Sequence, residues 1–323
     1  MSNFLFAVNA TMPVFLVILL GWLLRRWGVI NDAFASAGNK YVFKCALPVS
    51  LLQSLGTMDL YTDFNWQFCL FCAVGTFLMF SLVWAGTVLL MRDKTMIGAF
   101  AQASARSSAA ILGVAFAVNI YGDAGLVPMM IVAAVPLFNI FAVLILCFSP
   151  QTDENGNLLP PPKDTAEKIR RAVVGVFTNP ILIGIFAGSI LSLLRIQMPP
   201  ILAKTVSMVG GTASPIALIV VGASFSTVEA MKKWKPAAVA TFIKLFLLPA
   251  IYLPIAALLG FRNTEMIAIL IMVGSPTTVA CYIMAKNMHN DGVLTSNVVV
   301  LSTLLSSISL TMWIFLLRTF ALI

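Results

Sequence analysis

Ten apolar stretches of roughly 20 residues, separated by short polar breaks, limit how this chain can fold more than any other feature. They cover 5–24, 39–56, 65–91, 96–120, 126–148, 173–194, 202–225, 236–259, 264–286 and 293–317. Hydrophobic residues make up 60% of the chain and charged residues only 10%, whereas a soluble protein carries about 25% charged residues. We therefore predict an all-α polytopic membrane protein with ten transmembrane helices embedded in the lipid bilayer. A soluble enzyme, a disordered chain and a disulfide-stabilised secreted domain are excluded.

One long polar segment divides the ten stretches into five and five. We predict a first five-helix repeat at 1–148, a cytoplasmic linker at 149–171 and a second, inverted five-helix repeat at 172–323. Lys and Arg concentrate in cytoplasmic loops. With both termini outside the cell, 14 of the 20 Lys and Arg residues fall on the cytoplasmic side and four outside. This asymmetry predicts both termini outside, and it explains the net charge of +8 without a nucleic-acid partner.

The two halves share residues at a constant spacing of 167 positions. The matched pairs are Pro13 with Pro180, Gly21 with Gly188, Leu24 with Leu191, Ala46 with Ala213, and Pro48 with Pro215. Five helices in each half make the second half enter the membrane the other way up. Such inverted repeats are typical of transporters.

The same spacing aligns two small, polar triplets near the middle of the fourth and ninth stretches. Ser107-Ser108-Ala109 corresponds to Gly274-Ser275-Pro276. Proline removes a helical hydrogen bond, and membranes tolerate a broken helix where the backbone lines a cavity. We predict that helices 4 and 9 are broken and cross at the membrane centre. In this interpretation Ser275 caps a new helix that Pro276 begins, while Ser107 and Ser108 cap its counterpart.

Helix N-termini carry partial positive charge, so two of them facing one cavity favour an anion. Thr277 and Thr278 add hydroxyl groups, and Arg106 lies directly beside the break. No acidic residue lies well inside an apolar stretch. Arg106 therefore has two candidate partners, a substrate carboxylate or the carbonyl ends of the preceding half-helices.

Three more polar residues lie inside the stretches, and two of them have two interpretations each. Lys244 either adds a second positive charge along an anion path or extends toward the cytoplasmic surface. Tyr282 either packs or contacts the substrate, and Asn139 forms interhelical hydrogen bonds by default. No pattern of metal ligands accompanies His289, and no His, Asp or Glu in the stretches could activate a nucleophile. We expect no metal, no cofactor and no enzymatic activity.

Several motifs resemble one family of membrane proteins over nearly the whole chain. They are CALPVSLLQSL, NPILIGIFAG, GTASPIALIVVGASF, KLFLLP and GSPTTVACYIMA. The chain resembles the auxin efflux carrier family of bacterial permeases, relatives of the plant PIN-type auxin carriers. The resemblance implies an inverted five-plus-five repeat, a scaffold and a transport domain, elevator-like movement, carboxylic acid substrates and a crossover at Arg106–Ser108 and Ser275–Thr278. It also allows a homodimer.

We therefore predict a carrier in the cell inner membrane that moves small carboxylate anions by elevator-type alternating access. The expected substrate-binding residues are Arg106, Ser107, Ser108, Lys244, Ser275, Pro276, Thr277, Thr278 and Tyr282. The alternative within transport is a sodium- or proton-coupled importer of organic acids. A gated channel and a membrane-embedded enzyme are the other function classes considered.

Overall fold

The computed structural model describes residues 2–57, 65–122, 125–151, 170, 174, 178, 180–223 and 233–323. The first half contains α1 (Ser2–Arg26), α2 (Asp32–Tyr41), α3 (Leu47–Gly56), α4 (Trp66–Leu90), α5 (Ile97–Ala105), α6 (Ala109–Tyr121) and α7 (Val127–Phe148). The second contains α8 (Pro180–Leu193), α9 (Pro200–Gly211), α10 (Ala213–Ala223), α11 (Trp234–Phe242), α12 (Leu248–Leu258), α13 (Asn263–Gly274), α14 (Val279–Asn287) and α15 (Gly292–Thr319). The predicted linker falls almost wholly outside the described residues. So do Asn179, a polar residue beside Pro180, and Asp59, Asp63 and Asp123, the acidic residues at the ends of stretches that a proton-coupled importer could use.

The predicted all-helical class is confirmed for the part of the chain that the structure describes. Among the described residues, five helical segments are long and apolar enough to cross a membrane. They are Trp66–Leu90, Val127–Phe148, Pro200–Val220, Trp234–Leu258 and Gly292–Thr319. Helices suit this environment because they satisfy their backbone hydrogen bonds internally, where lipid offers none. The chain is therefore a polytopic helical membrane protein.

Two predicted boundaries need correction. The second apolar stretch was expected to begin at 39, but α2 begins at Asp32, because the Asn31 side chain caps it by accepting the Phe34 N–H at 2.9 Å. The seventh stretch, 202–225, is two helices that meet at Thr212. The Thr212 hydroxyl donates to the Val209 carbonyl at 2.7 Å and also contacts the Tyr41 hydroxyl at 2.8 Å.

Two π-helical turns widen otherwise continuous helices. Val42–Ala46 joins α2 to α3, and Ile243–Leu247 joins α11 to α12. Each turn is followed by a proline at the second residue of the next helix, Pro48 or Pro249. Proline has no N–H to donate to the carbonyl four residues earlier, so the helical hydrogen-bonding pattern must change there.

Close helix contacts at glycine connect the two halves of the chain. A Cβ on Gly21 of α1 would collide with the Ile219 carbonyl of α10, and a Cβ on Gly188 of α8 would meet the Leu52 carbonyl of α3. The spacing of 167 residues carries Gly21 onto Gly188 and Leu52 onto Ile219. The α1–α10 contact and the α8–α3 contact therefore join equivalent positions of the two halves.

Candidate functional site

The two predicted breaks lie in contact with each other. Helix α5 ends at Ala105 and α6 begins at Ala109, while α13 ends at Gly274 and α14 begins at Val279. The non-helical residues 106–108 and 275–278, which we call the crossing, pair through an antiparallel bridge between Ser107 and Thr277. The Ser108 N–H donates to the Pro276 carbonyl at 2.8 Å. In the described part of the chain this bridge is the only β-type pairing.

Hydroxyl groups at the crossing satisfy carbonyls that the broken helices leave open. The last turn of a helix has carbonyl groups without internal donors. The Thr277 hydroxyl donates to the Ala103 carbonyl of α5 at 2.7 Å, and the Ser107 hydroxyl donates to the Met272 carbonyl of α13. Each break therefore caps the half-helix that precedes the other break.

Lys244 completes this capping from outside the two broken helices. Its ammonium donates to the Ala105 carbonyl at 3.0 Å, to the Val273 carbonyl at 2.9 Å and to the Ser107 hydroxyl. The side chain is fully buried. Because the C-terminal ends of α5 and α13 carry partial negative charge, they form a favourable environment for this cation.

The π-turn that carries Lys244 is stabilised by Trp313 of α15. Pro249 cannot donate to the Leu245 carbonyl, since it lacks an N–H. The Trp313 indole N–H donates to that carbonyl instead, at 2.9 Å. The tryptophan thus replaces the missing helical donor in the turn that presents Lys244.

Arg106 lies at the first break, and its guanidinium has neutral partners. It donates to the Asn139 side-chain carbonyl of α7 at 2.8 Å and contacts the Met284 sulfur of α14 at 2.7 Å. Arg106 is only 4% exposed. The ion pairs between described residues join Arg25 with Asp32 and Lys233 with Asp291, so no described acidic side chain pairs with Arg106. The half-helix carbonyls offered as its alternative partner bind Lys244 instead.

The predicted capping roles are wrong in detail. Ser275 ends α13 as its C-cap and does not cap a new helix, and Pro276 does not begin one, because α14 starts three residues later at Val279. Ser108 occupies the N-cap position of α6, but its side chain makes no capping hydrogen bond to that helix. The Ser107 hydroxyl, as described above, caps the opposite helix.

The alignment of the two breaks also needs correction. The spacing of 167 matched Ser107 with Gly274, but the bridge pairs Ser107 with Thr277. The helices that follow the breaks begin at 109 and 279, which gives the same spacing of 170 residues. Between the matched proline at position 215 and the second break, the second half therefore contains three more residues than the constant spacing of 167 allows.

Sequence reasoning missed several partners of the crossing. Met284, Ser302 and Trp313 carried no signal, although the Ser302 hydroxyl accepts the Thr277 N–H at 3.0 Å. Asn139 was expected to bond between helices, and this is confirmed by its contact with Arg106. Such residues, apolar or with one isolated polar group, come to contact the crossing only because distant parts of the chain pack together.

The family of the protein follows from a comparison with known families. The family model described as membrane transport protein matches residues 6–314. The chain belongs to this family, the auxin efflux carriers. A relative from Methanothermobacter thermautotrophicus, described as an uncharacterized transporter, is 24% identical over 314 residues that cover 96% of this chain and 98% of the relative.

The transporter's crossing is closed to solvent. Arg106, Ser107, Ser108, Thr277 and Thr278 are between 2% and 8% exposed, and Ser275 is fully buried. The Ser275 hydroxyl is buried without a hydrogen-bond partner among the described residues. Tyr282 is half-buried on α14, and the Thr278 hydroxyl accepts the Ala280 N–H at a long 3.4 Å. The polar groups of the crossing are thus buried inside the protein.

A large apolar groove of the transporter lies elsewhere. It has a volume of about 1070 Å³ and runs between α4 and the α11–α12 helix. Leu70, Val74, Leu78, Ile251 and Ile255 are among its lining residues, whereas Arg106 and Lys244 are not. Most of its lining side chains are apolar, so this surface suits lipid chains better than a charged solute.

Proposed function

We propose that this transporter moves small organic carboxylates across the cell inner membrane by elevator-type alternating access, with the substrate carboxylate bound at Arg106. The observation that carries the proposal is a buried guanidinium held by an amide oxygen and a thioether, with no described acidic partner. A buried arginine is costly inside a membrane. A carboxylate supplies the missing counter-charge and can accept two parallel hydrogen bonds from the guanidinium.

Other charges and dipoles favour an anion at the same place. Helices α6 and α14 begin at the crossing, and their N-terminal N–H groups carry partial positive charge. Ser275 and Thr278 bring hydroxyl groups with few internal partners, and Tyr282 lies one turn into α14. In this proposal these three residues and Ser108 contact the substrate together with Arg106.

The remaining residues predicted to bind substrate receive supporting roles in this proposal. The hydroxyls of Ser107 and Thr277 are bonded to helix-end carbonyls, and all three ammonium hydrogens of Lys244 have acceptors. Pro276 contributes its carbonyl to Ser108. These residues hold the two breaks together so that Arg106 keeps its position.

The elevator proposal rests on how the helices group. The equivalent contacts of Gly21 with Ile219 and of Gly188 with Leu52 support an inverted five-plus-five repeat. They pair α1 with α10 and α3 with α8, and the contact of Gly38 in α2 with Val220 of α10 links the two pairs into the proposed scaffold. The crossing contacts α7 through Asn139 and α15 through Ser302, which places these helices in the proposed moving unit. A closed site needs such movement to release a solute to either side.

The charge distribution supports an orientation with both termini outside the cell. Arg25, Arg26, Lys233 and Lys235 then lie at the cytoplasmic surface. With a membrane potential of about −100 mV inside, each exported negative charge gains about 2.3 kcal/mol. Export of a carboxylate therefore needs no second ion.

The test is counterflow in proteoliposomes that contain the purified protein. Vesicles loaded with one unlabelled acid are diluted into the same labelled acid, over a panel of mono- and dicarboxylates and their neutral amides. We expect labelled uptake above that of protein-free vesicles for at least one acid and for none of the amides. Equal uptake of acids and amides, or uptake of cations alone, would contradict the proposal.

A further inference from the structure

The ammonium of Lys244 lies where the negative ends of two half-helices meet. It has three hydrogens to donate, and the Ala105 carbonyl, the Val273 carbonyl and the Ser107 hydroxyl accept them. Two of these three acceptors are backbone carbonyls of the last turns of α5 and α13. The side chain is fully buried, so no water competes for these bonds.

This arrangement resembles the coordination of a small cation. In carriers with broken helices, the C-terminal ends of half-helices and unwound carbonyls coordinate the coupling sodium ion or proton near the membrane centre. Here the positive charge belongs to a side chain of α11–α12, the helix that the π-turn Ile243–Leu247 widens. No described acidic side chain pairs with Lys244, so the helix ends themselves supply the opposing charge.

We propose that Lys244 is a covalently attached substitute for a coupling cation. Its ammonium fills the carbonyl site permanently, so the two half-helix ends stay neutralised without sodium and the carrier moves its anion without a co-ion. The inference rests on the proposed function, because coupling has meaning only for a carrier. It predicts that removal of the ammonium opens a vacant cation site at Ala105 and Val273.

The experiment measures the melting temperature of the purified Lys244→Ala variant in sodium, potassium, methylammonium and choline chloride at equal ionic strength. We expect a melting temperature several degrees below that of the parent protein in choline, and saturable recovery in sodium or methylammonium. The parent protein should melt at the same temperature in all four salts. Lys244→Met, which fills the volume without a charge, should be destabilised and show no recovery.

A Lys244→Ala variant that melts at the same temperature in every salt would overturn the inference. Should neither variant fold, efflux by the parent protein decides the question. Unchanged efflux when sodium replaces choline supports the inference that Lys244 replaces a coupling cation. Uphill accumulation driven by a sodium or proton gradient overturns that inference. The melting experiment contains no organic acid, so it remains readable even if the parent protein transports no carboxylate.

Discussion

Ser107 and Thr277 pair through their backbones at the centre of the protein, and the hydroxyl of each caps the half-helix that precedes the other. The two residues are separated by 170 positions in the chain. This reciprocal capping gives donors to the Ala103 and Met272 carbonyls, which the interruption of the two helices would otherwise leave open inside the membrane.

Removal of either hydroxyl should destabilise the protein. Ser107→Ala and Thr277→Val each leave a buried carbonyl without its donor, at a cost of about 1–3 kcal/mol. Because the residues are in contact, we expect the loss in the double variant to differ from the sum of the single losses by about 0.5 kcal/mol or more. Reversible unfolding in mixed detergent micelles measures all three variants.

Ser307→Ala is the matched control, since the Ser307 hydroxyl is exposed on α15 and bonds within its own helix. Its effect should lie within about 0.5 kcal/mol of zero. If Ser107→Ala is as harmless as this control, the hydroxyl does not support the crossing.

Close contact between α1 and α10 should not tolerate a larger residue at Gly222. An added methyl group would collide with the Ile18 carbonyl and the Trp22 N–H. We expect Gly222→Ala to cost about 1–3 kcal/mol through overpacking, seen as a lower melting temperature and less folded protein. Gly86→Ala on α4 has open space around the new methyl group and should be neutral. Equal stability of the two variants would contradict the described contact.

Trp313 should matter for transport although it lies outside the crossing. Trp313→Phe keeps an aromatic ring, although a smaller one, and removes the donor to the Leu245 carbonyl, so the π-turn that carries Lys244 loses a hydrogen bond. We expect a lower melting temperature and a several-fold slower counterflow. Trp234→Phe, at an exposed position, is the control and should change neither quantity. Parent-like behaviour of Trp313→Phe would show that the turn does not need the indole.

Asn139→Asp tests whether Arg106 is held ready for an external carboxylate. The substitution would provide an internal carboxylate next to a guanidinium that now contacts an amide oxygen at 2.8 Å. A buried charge pair of this kind binds strongly, so the substrate would have to compete with it. We expect counterflow to fall by at least about 100-fold, as a loss of some 2.7 kcal/mol in binding implies. Asn139→Ala, which adds no charge, should transport faster than Asn139→Asp; the reverse order would contradict the role of Arg106.

The sequence predicted the elements that depend on local pattern. Apolar stretches gave the helices, and the small polar residues around Ser107 and the Ser275-Pro276 pair indicated the two breaks, because proline and short polar side chains disturb a helix wherever they occur. The family was also predicted from sequence motifs and is confirmed. The coarse architecture was thus accessible without coordinates.

The partners of the charged residues were not accessible in this way. Lys244 bonds to Ala105, which lies 139 positions earlier in the chain, and to Val273, which lies 29 positions later. Arg106 bonds to Asn139 and Met284 through the packing of three helices. The assignment of helix-end carbonyls to Lys244 depends on where the π-turn points its side chain. No periodicity or composition encodes that direction.

Counterflow of an accepted carboxylate by Arg106→Ala and Arg106→Lys tests the central claim most directly. Exposed Arg26→Ala serves as the control for removal of an arginine. We expect Arg106→Ala to lose at least about 100-fold in rate at low substrate concentration, which corresponds to about 2.7 kcal/mol, and Arg106→Lys to retain part of the activity because it keeps the charge without the bidentate geometry. Folded Arg106→Ala that transports the acid as fast as the parent protein and Arg26→Ala would contradict the account.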